Sequence, residues 1–161
     1  MNKNLNIILS VLLLISIIIN IFTFLSFDTK LKKINIENSV AEIISSIKSS
    51  DNTLELHTYY KTQLEKNLIN NNDLSANYQE LINIHEQLIV TISKNETKET
   101  LAIKDKTIFF LNERKKVFEN YKLAIDLNSS NYNNVAQNLI LKSNEYKKEI
   151  ETLINSLNKN K

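Results

Sequence analysis

The chain of 161 residues contains no glycine, proline, cysteine or tryptophan, and only one arginine. Without cysteine there are no disulfides, no thiolate metal ligands and no acceptor for a thioether-linked lipid. Without glycine there is no phosphate-cradling loop of the Walker or dinucleotide type, and the usual residue for left-handed turns is missing. The joint absence of glycine and proline also removes the main helix breakers. No Ser-His-Asp set, no H-E-x-x-H and no metal-spaced acidic cluster occurs, so the chain is expected not to be an enzyme and to carry no cofactor. Net charge is +2 with both signs interspersed, which implies neither nucleic acid nor a polyanion as partner.

What the sequence does have is an uncharged run from Leu5 to Phe27, LNIILSVLLLISIIINIFTFLSF. As a helix it reaches roughly 34 Å, enough for a hydrocarbon core of about 30 Å. The run is longer than the apolar region of a cleaved signal peptide and ends in bulky Phe24, Leu25 and Phe27, so an uncleaved transmembrane anchor is expected after a tail of residues 1–4. Asn6, Ser10, Ser16, Asn20 and Thr23 form a polar stripe along it, suited to a second membrane helix or to bonds back to their own helix. Lys30, Lys32 and Lys33 argue mildly for a cytoplasmic body. The very short basic head argues for export of the chain beyond the anchor, and a body outside the cytoplasm is the expectation. The abundance of Asn, Lys and Ile matches an AT-rich, bacterial genome.

Residues 28–158 read as four amphipathic helices, about 28–70, 74–94, 98–127 and 131–158, before a polar tail at 159–161. The first continues the anchor, and its 3-4 seam runs Ile36, Val40, Ile43, Ile47, Ser50, Leu54, His57, Lys61, Leu64, Leu68. The seam crosses Ser49-Ser50-Asp51-Asn52, which otherwise resembles a helix stop. Asn70-Asn71-Asn72 is a turn with Asp73 as the next cap, and Asn95-Glu96-Thr97 closes the second turn with Thr97 as cap. The second helix buries Leu74, Tyr78, Leu81, Ile82, His85, Leu88, Ile89 and Ile92; the fourth carries Tyr132, Ala136, Leu139, Ser143, Tyr146, Ile150, Leu153 and Leu157. Short turns between such helices imply an all-α fold, an antiparallel up-down-up-down four-helix bundle behind a single N-terminal transmembrane helix.

Three sets of residues stand out. His57 and His85 lie on core seams. Folding the hairpin about residue 71 or 72 brings His57 opposite Glu86, so the two imidazoles share a layer, as a pH-sensitive or metal-binding pair with Glu55 or Glu86, or as hydrogen-bonded core histidines. The same register places Arg114 near Tyr78 and near Glu145 or Tyr146, a candidate layer for a small anion or amino acid, against snorkelling or pairing with Glu145. The stripe Ile36, Val40, Ile43 and Ile47 is expected to lie beyond the reach of a second helix of about 33 Å. It then packs on the end of the fourth helix around Ile150, Leu153, Ile154 and Leu157, or on a second copy of the chain. Glu113-Arg114-Lys115-Lys116 reads as a solvated helix face, and the glycosylation-like triplets at Asn95 and Asn128 as chance in an Asn-rich chain.

In layout the chain resembles the four-helix sensory modules of chemoreceptors, though without their second span and signalling region. It is similar in outline to LemA-type proteins, phage spanins and cell-division coiled-coil proteins, with no motif that assigns it to any of them. The functional expectation is a membrane-anchored interaction or assembly module for a protein partner or its own copies; the alternative is a ligand- or pH-sensing bundle signalling through a membrane partner.

Overall fold

The structure, a computed structural model, describes residues 3–94 and 97–159, with side chains from Leu13 onward. Asn95, Glu96 and the last two residues of the tail lie outside the described residues, as do the side chains of Asn6 and Ser10. The described chain is four helices with no strand: α1 (Lys3–Glu65), α2 (Asn71–Lys94), α3 (Leu101–Asp126) and α4 (Asn131–Lys159).

The chain divides into two units, Met1–Asn38 and Ser39–Lys161. In the first, the described apolar side chains from Leu13 to Phe27 are all exposed, and the helix is long and apolar enough to cross a membrane. Thr23 and Thr29 donate their hydroxyls to the carbonyls of Ile19 and Leu25, so both satisfy their polar atoms within their own helix.

In the second unit α3 lies against both α2 and α4. Its core is two apolar clusters. Ile43, Ile47, Ile92, Ile103, Phe110, Leu111, Ile150 and Ile154 form one, with Val40, Leu88, Leu153 and Leu157 packed against it. The other holds Leu74, Tyr78, Leu81, Ile82, Val117, Phe118, Tyr121 and Ala136. Within each helix the contributing residues follow three- and four-residue spacing.

The helix ends show how a chain without glycine turns. α1 stops at Glu65, not near residue 70, because Asn67 enters the left-handed region at φ 55°. The Leu68 N–H bonds the Gln63 carbonyl and the Asn67 N–H that of Leu64, the paired bonds of a Schellman cap. α3 ends in the same way at Asn128, φ 47°, through Ser129 to Ala124 and Asn128 to Ile125. Asparagine does here what glycine usually does, since its short polar side chain tolerates this region.

α2 is capped by Asn70 rather than Asp73. The Asn70 Oδ1 accepts from the N–H groups of Asn72 and Asp73, and Asp73 reaches back to the Asn70 N–H at 2.9 Å, a capping box with Asp73 as its third residue. Thr97 accepts from the Thr100 N–H and bonds its hydroxyl, holding a turn that delays the start of α3 to Leu101.

Candidate functional site

Between the two apolar clusters each helix contributes a deeply buried polar residue: Ser50, His85, Arg114 and Ser143, none more than 1% exposed. Ser50, His85 and Ser143 lie on the same seams as the apolar residues of their helices. The His85 Nδ1 is 2.7 Å from the Leu81 carbonyl. A carbonyl only accepts, so Nδ1 carries the hydrogen and the neutral ring offers Nε2 as acceptor. The Ser50 hydroxyl, 2.9 Å away, then donates to Nε2. Burial pulls the His85 pKa down to about 4, against the carbonyl bond and with help from Arg114.

Arg114 makes its bonds through one nitrogen. Nη2 donates to Asn144 Oδ1 at 2.7 Å and to Asp51 Oδ1 at 3.3 Å. Asp51 offers its second oxygen to Lys147 Nζ at 2.6 Å. The Phe110 ring lies 5.3 Å from the guanidinium carbon. Nε and Nη1 are buried without an acceptor, so of the five guanidinium hydrogens the three on these atoms are unpaired. Burial lowers the Arg114 pKa and Asp51 opposes that, yet arginine remains charged. Two cations therefore share one carboxylate, and the cluster of Arg114, Lys147 and Asp51 carries one uncompensated positive charge. Next to it Glu113 bonds Lys116 and Lys142 through Oε1, while its buried Oε2 receives no hydrogen bond.

The histidines do not share a layer. His57 Nδ1 is 3.1 Å from the Tyr78 hydroxyl, and its ring stacks on Tyr121 at 4.1 Å and on Tyr78 at 5.7 Å. Phe118 touches both imidazoles, at 6.5 Å from His57 and 5.3 Å from His85. The partner of position 57 is thus Tyr78, eight residues before Glu86, because the first turn is centred before residue 71. Burial lowers the His57 pKa to about 4, with Lys61 adding to the effect. Glu55 and Glu86 are exposed. Among the described residues no group of three or more His, Asp or Glu is arranged around a metal position.

Neither tyrosine expected beside Arg114 is among the residues it bonds. Tyr78 belongs to the second cluster, and Tyr146 packs on the first, stacked on Phe109 at 6.0 Å with Lys106 over its ring. Arg114 pairs with Asp51 and Asn144, not Glu145. Glu113 and Arg114 are interior, so the Glu113–Lys116 run is not a solvated face.

In the stripe, Ile36, Ile43 and Ile47 are buried and Val40 is half-buried. Ile43 and Ile47 meet Ile150 and Ile154 of α4, but also Ile92 of α2 and Ile103 of α3. The second helix does reach them, because the earlier turn carries its residues further back along α1.

Asp51 and Asn144 escape sequence reasoning: both look like surface positions, and each meets Arg114 across 63 and 30 residues. Ser50, His85 and Ser143 on their seams are the signal of a polar layer there. No family model, curated protein or solved structure matches the chain.

Proposed function

We propose that the chain is a single-pass protein of a bacterial inner membrane, held by the apolar part of α1, whose helical body lies outside the cytoplasm and senses a small anionic solute. In this reading the body is an antiparallel up-down-up-down bundle without enzymatic activity, and it signals through a protein partner in the membrane. The antiparallel arrangement draws support from two pairs: Ser50 with His85, then His57 seven residues on with Tyr78 seven residues back. The exposed apolar side chains of Leu13–Phe27 support the anchor.

One observation carries the sensing role: Arg114, 1% exposed, keeps Nε and Nη1 unpaired beside a net positive charge. Buried donors without acceptors are costly, and an oxyanion supplies both acceptors and charge. The α1 helix carries the apolar run as well as Ser50 and Asp51, which gives a solute in this layer a connection to the membrane segment. The Ile36–Ile47 stripe lends no support to a docking or assembly role, since Ile43 and Ile47 are taken up by the body's own core.

The test is thermal melting of the full chain in non-ionic detergent, with phosphate, sulfate, acetate or chloride at matched ionic strength. An anion at 100 times its Kd adds about 2.7 kcal/mol, a rise of several degrees. That rise is expected for wild type and lost in Arg114→Gln. Equal melting in all four salts removes the solute reading and leaves water as the partner of these N–H groups. Fractionation with protease access from each side tests anchor and orientation; recovery as a soluble protein starting near residue 27 overturns the anchor.

A further inference from the structure

The body also has a cavity that Arg114 does not line. It measures about 180 Å³ and receives residues from all four helices. Leu64, Leu74 and Ile125 give it an apolar wall. Tyr78 and Tyr121 give it an aromatic one, their rings 5.8 Å apart and 26° from parallel. His57 fixes that wall from behind, stacking on both rings and bonding the Tyr78 hydroxyl. The polar part of the lining is Lys61, Asn133 and Gln137, and no Asp or Glu among the described residues lines it.

We infer that this cavity binds a single-ring aromatic carboxylate. Size sets the first limit: an apolar cavity of about 150 Å³ holds one benzene, whereas drug-sized ligands need about 300 Å³ or more. A volume of about 180 Å³ therefore takes one substituted ring. Shape sets the second, since flat rings gain from offset or tilted contact with the tyrosine faces beyond simple burial. Charge sets the third: Lys61 is the one ionic group in the described lining, so an anionic head is favoured over a cationic one. Gln137 donates its amide to the Tyr121 oxygen at 2.6 Å, which leaves the Tyr121 hydroxyl hydrogen for an acceptor. The Asn133 amide adds further donors for a carboxylate.

Benzoate is the probe, titrated calorimetrically into the full chain in non-ionic detergent, with cyclohexanecarboxylate and benzyl alcohol beside it. Saturable benzoate binding with Kd about 1 mM or tighter is expected for a ligand of this size. Cyclohexanecarboxylate tests the flat wall and benzyl alcohol the anionic head, and each is expected to bind about fivefold weaker or worse. Asn133 is exposed, so Asn133→Trp fills the cavity from its rim without disturbing the core; benzoate affinity should fall about tenfold or more. Ile125→Phe fills it from α3 and is used if the first variant melts early. Lys61→Gln weakens benzoate and leaves benzyl alcohol unchanged. Arg114→Gln, which removes the solute site proposed above, should leave benzoate binding intact, so the two sites fail separately. No saturable binding, binding that survives both filling variants, or binding lost in Arg114→Gln overturns the inference.

Discussion

The Ser50 hydroxyl donates to Nε2 of His85 across 2.9 Å while the imidazole is neutral, and a protonated ring would carry its own hydrogen there and donate in return. The Leu81 carbonyl takes the Nδ1 hydrogen of the same ring, and the charge facing it is the Arg114 cation. His57 faces Tyr78 and Tyr121, with the Lys61 cation acting on it from its own helix. Both histidines have folded pKa values near 4, against 6.5 in the unfolded chain. Above 6.5 neither state binds the proton and stability is flat. Between 6.5 and 4 the unfolded chain takes up protons that the folded one refuses, so stability falls as pH falls; below 4 the loss saturates. Each imidazole accounts for up to about 3 kcal/mol. Denaturant melts at pH 7, 6 and 5 should show this loss, and His57→Gln with His85→Gln should flatten the slope while lowering the plateau. An unchanged slope in the double variant refutes the assignment.

Arg114 and Asp51 should respond unequally to removal. Asp51 is 33% exposed and keeps Lys147, so it is resolvated easily when Arg114 is gone. Arg114→Met trades a desolvated cation with unpaired hydrogens for an apolar side chain, and we expect stability within about 1 kcal/mol of wild type or higher. Asp51→Ala leaves the cation buried without its carboxylate and should cost about 1–3 kcal/mol. Urea midpoints of both variants decide it; an Arg114→Met loss larger than that of Asp51→Ala contradicts the unpaired geometry.

The two asparagine caps invite a simple comparison. Asn67 and Asn128 sit at φ 55° and 47°, where a β-carbon costs about 1–2 kcal/mol. Asn67→Ala should lower stability by about 1 kcal/mol, and Asn67→Gly should hold or raise it. The same ordering is expected at position 128. Equal melting of the Ala and Gly variants would show that neither turn depends on the left-handed residue.

The stripe on α1 should behave as core. Ile47 is 7% exposed inside the first cluster and neighbouring Ile44 is 51% exposed. Ile47→Ala is expected to cost about 2–5 kcal/mol, and Ile44→Ala to stay within about 0.5 kcal/mol. Light scattering in detergent should give the same mass for both variants. A change of mass in Ile47→Ala with an unchanged melt would mean that the stripe serves a second copy.

Four helices are legible because three- and four-residue spacing of Ile, Leu, Phe and Tyr repeats without a breaker. Their register is not. The place where α1 stops depends on Asn67 entering a left-handed conformation, and several other asparagines surround it in the sequence. A turn placed at residue 71 or 72 displaces the partner of His57 by eight residues. Asp51 lies in a polar run that resembles a helix stop, so only the helices laid side by side reveal its pairing with Arg114.

The polar layer also bears on which alignments the helices reject. Seven residues from Ser50, His85 and Ser143 lie Ile43, Ile92 and Ile150, all buried in the first cluster. A heptad seam by itself tolerates a slip of one repeat, since apolar residues meet apolar residues again. Here such a slip carries the Arg114 guanidinium to the level of three isoleucines, away from Asp51 and Asn144, at several kcal/mol for a desolvated charge. Replacing Ser50, His85 and Arg114 together with leucine should remove that penalty, and the variant's amide spectrum should show more than one peak set where a single set is expected for wild type. A single peak set in the triple variant would mean that apolar shape alone sets the alignment. On this view Arg114 works as a key cut for one lock position, trading some stability for a single arrangement of the helices.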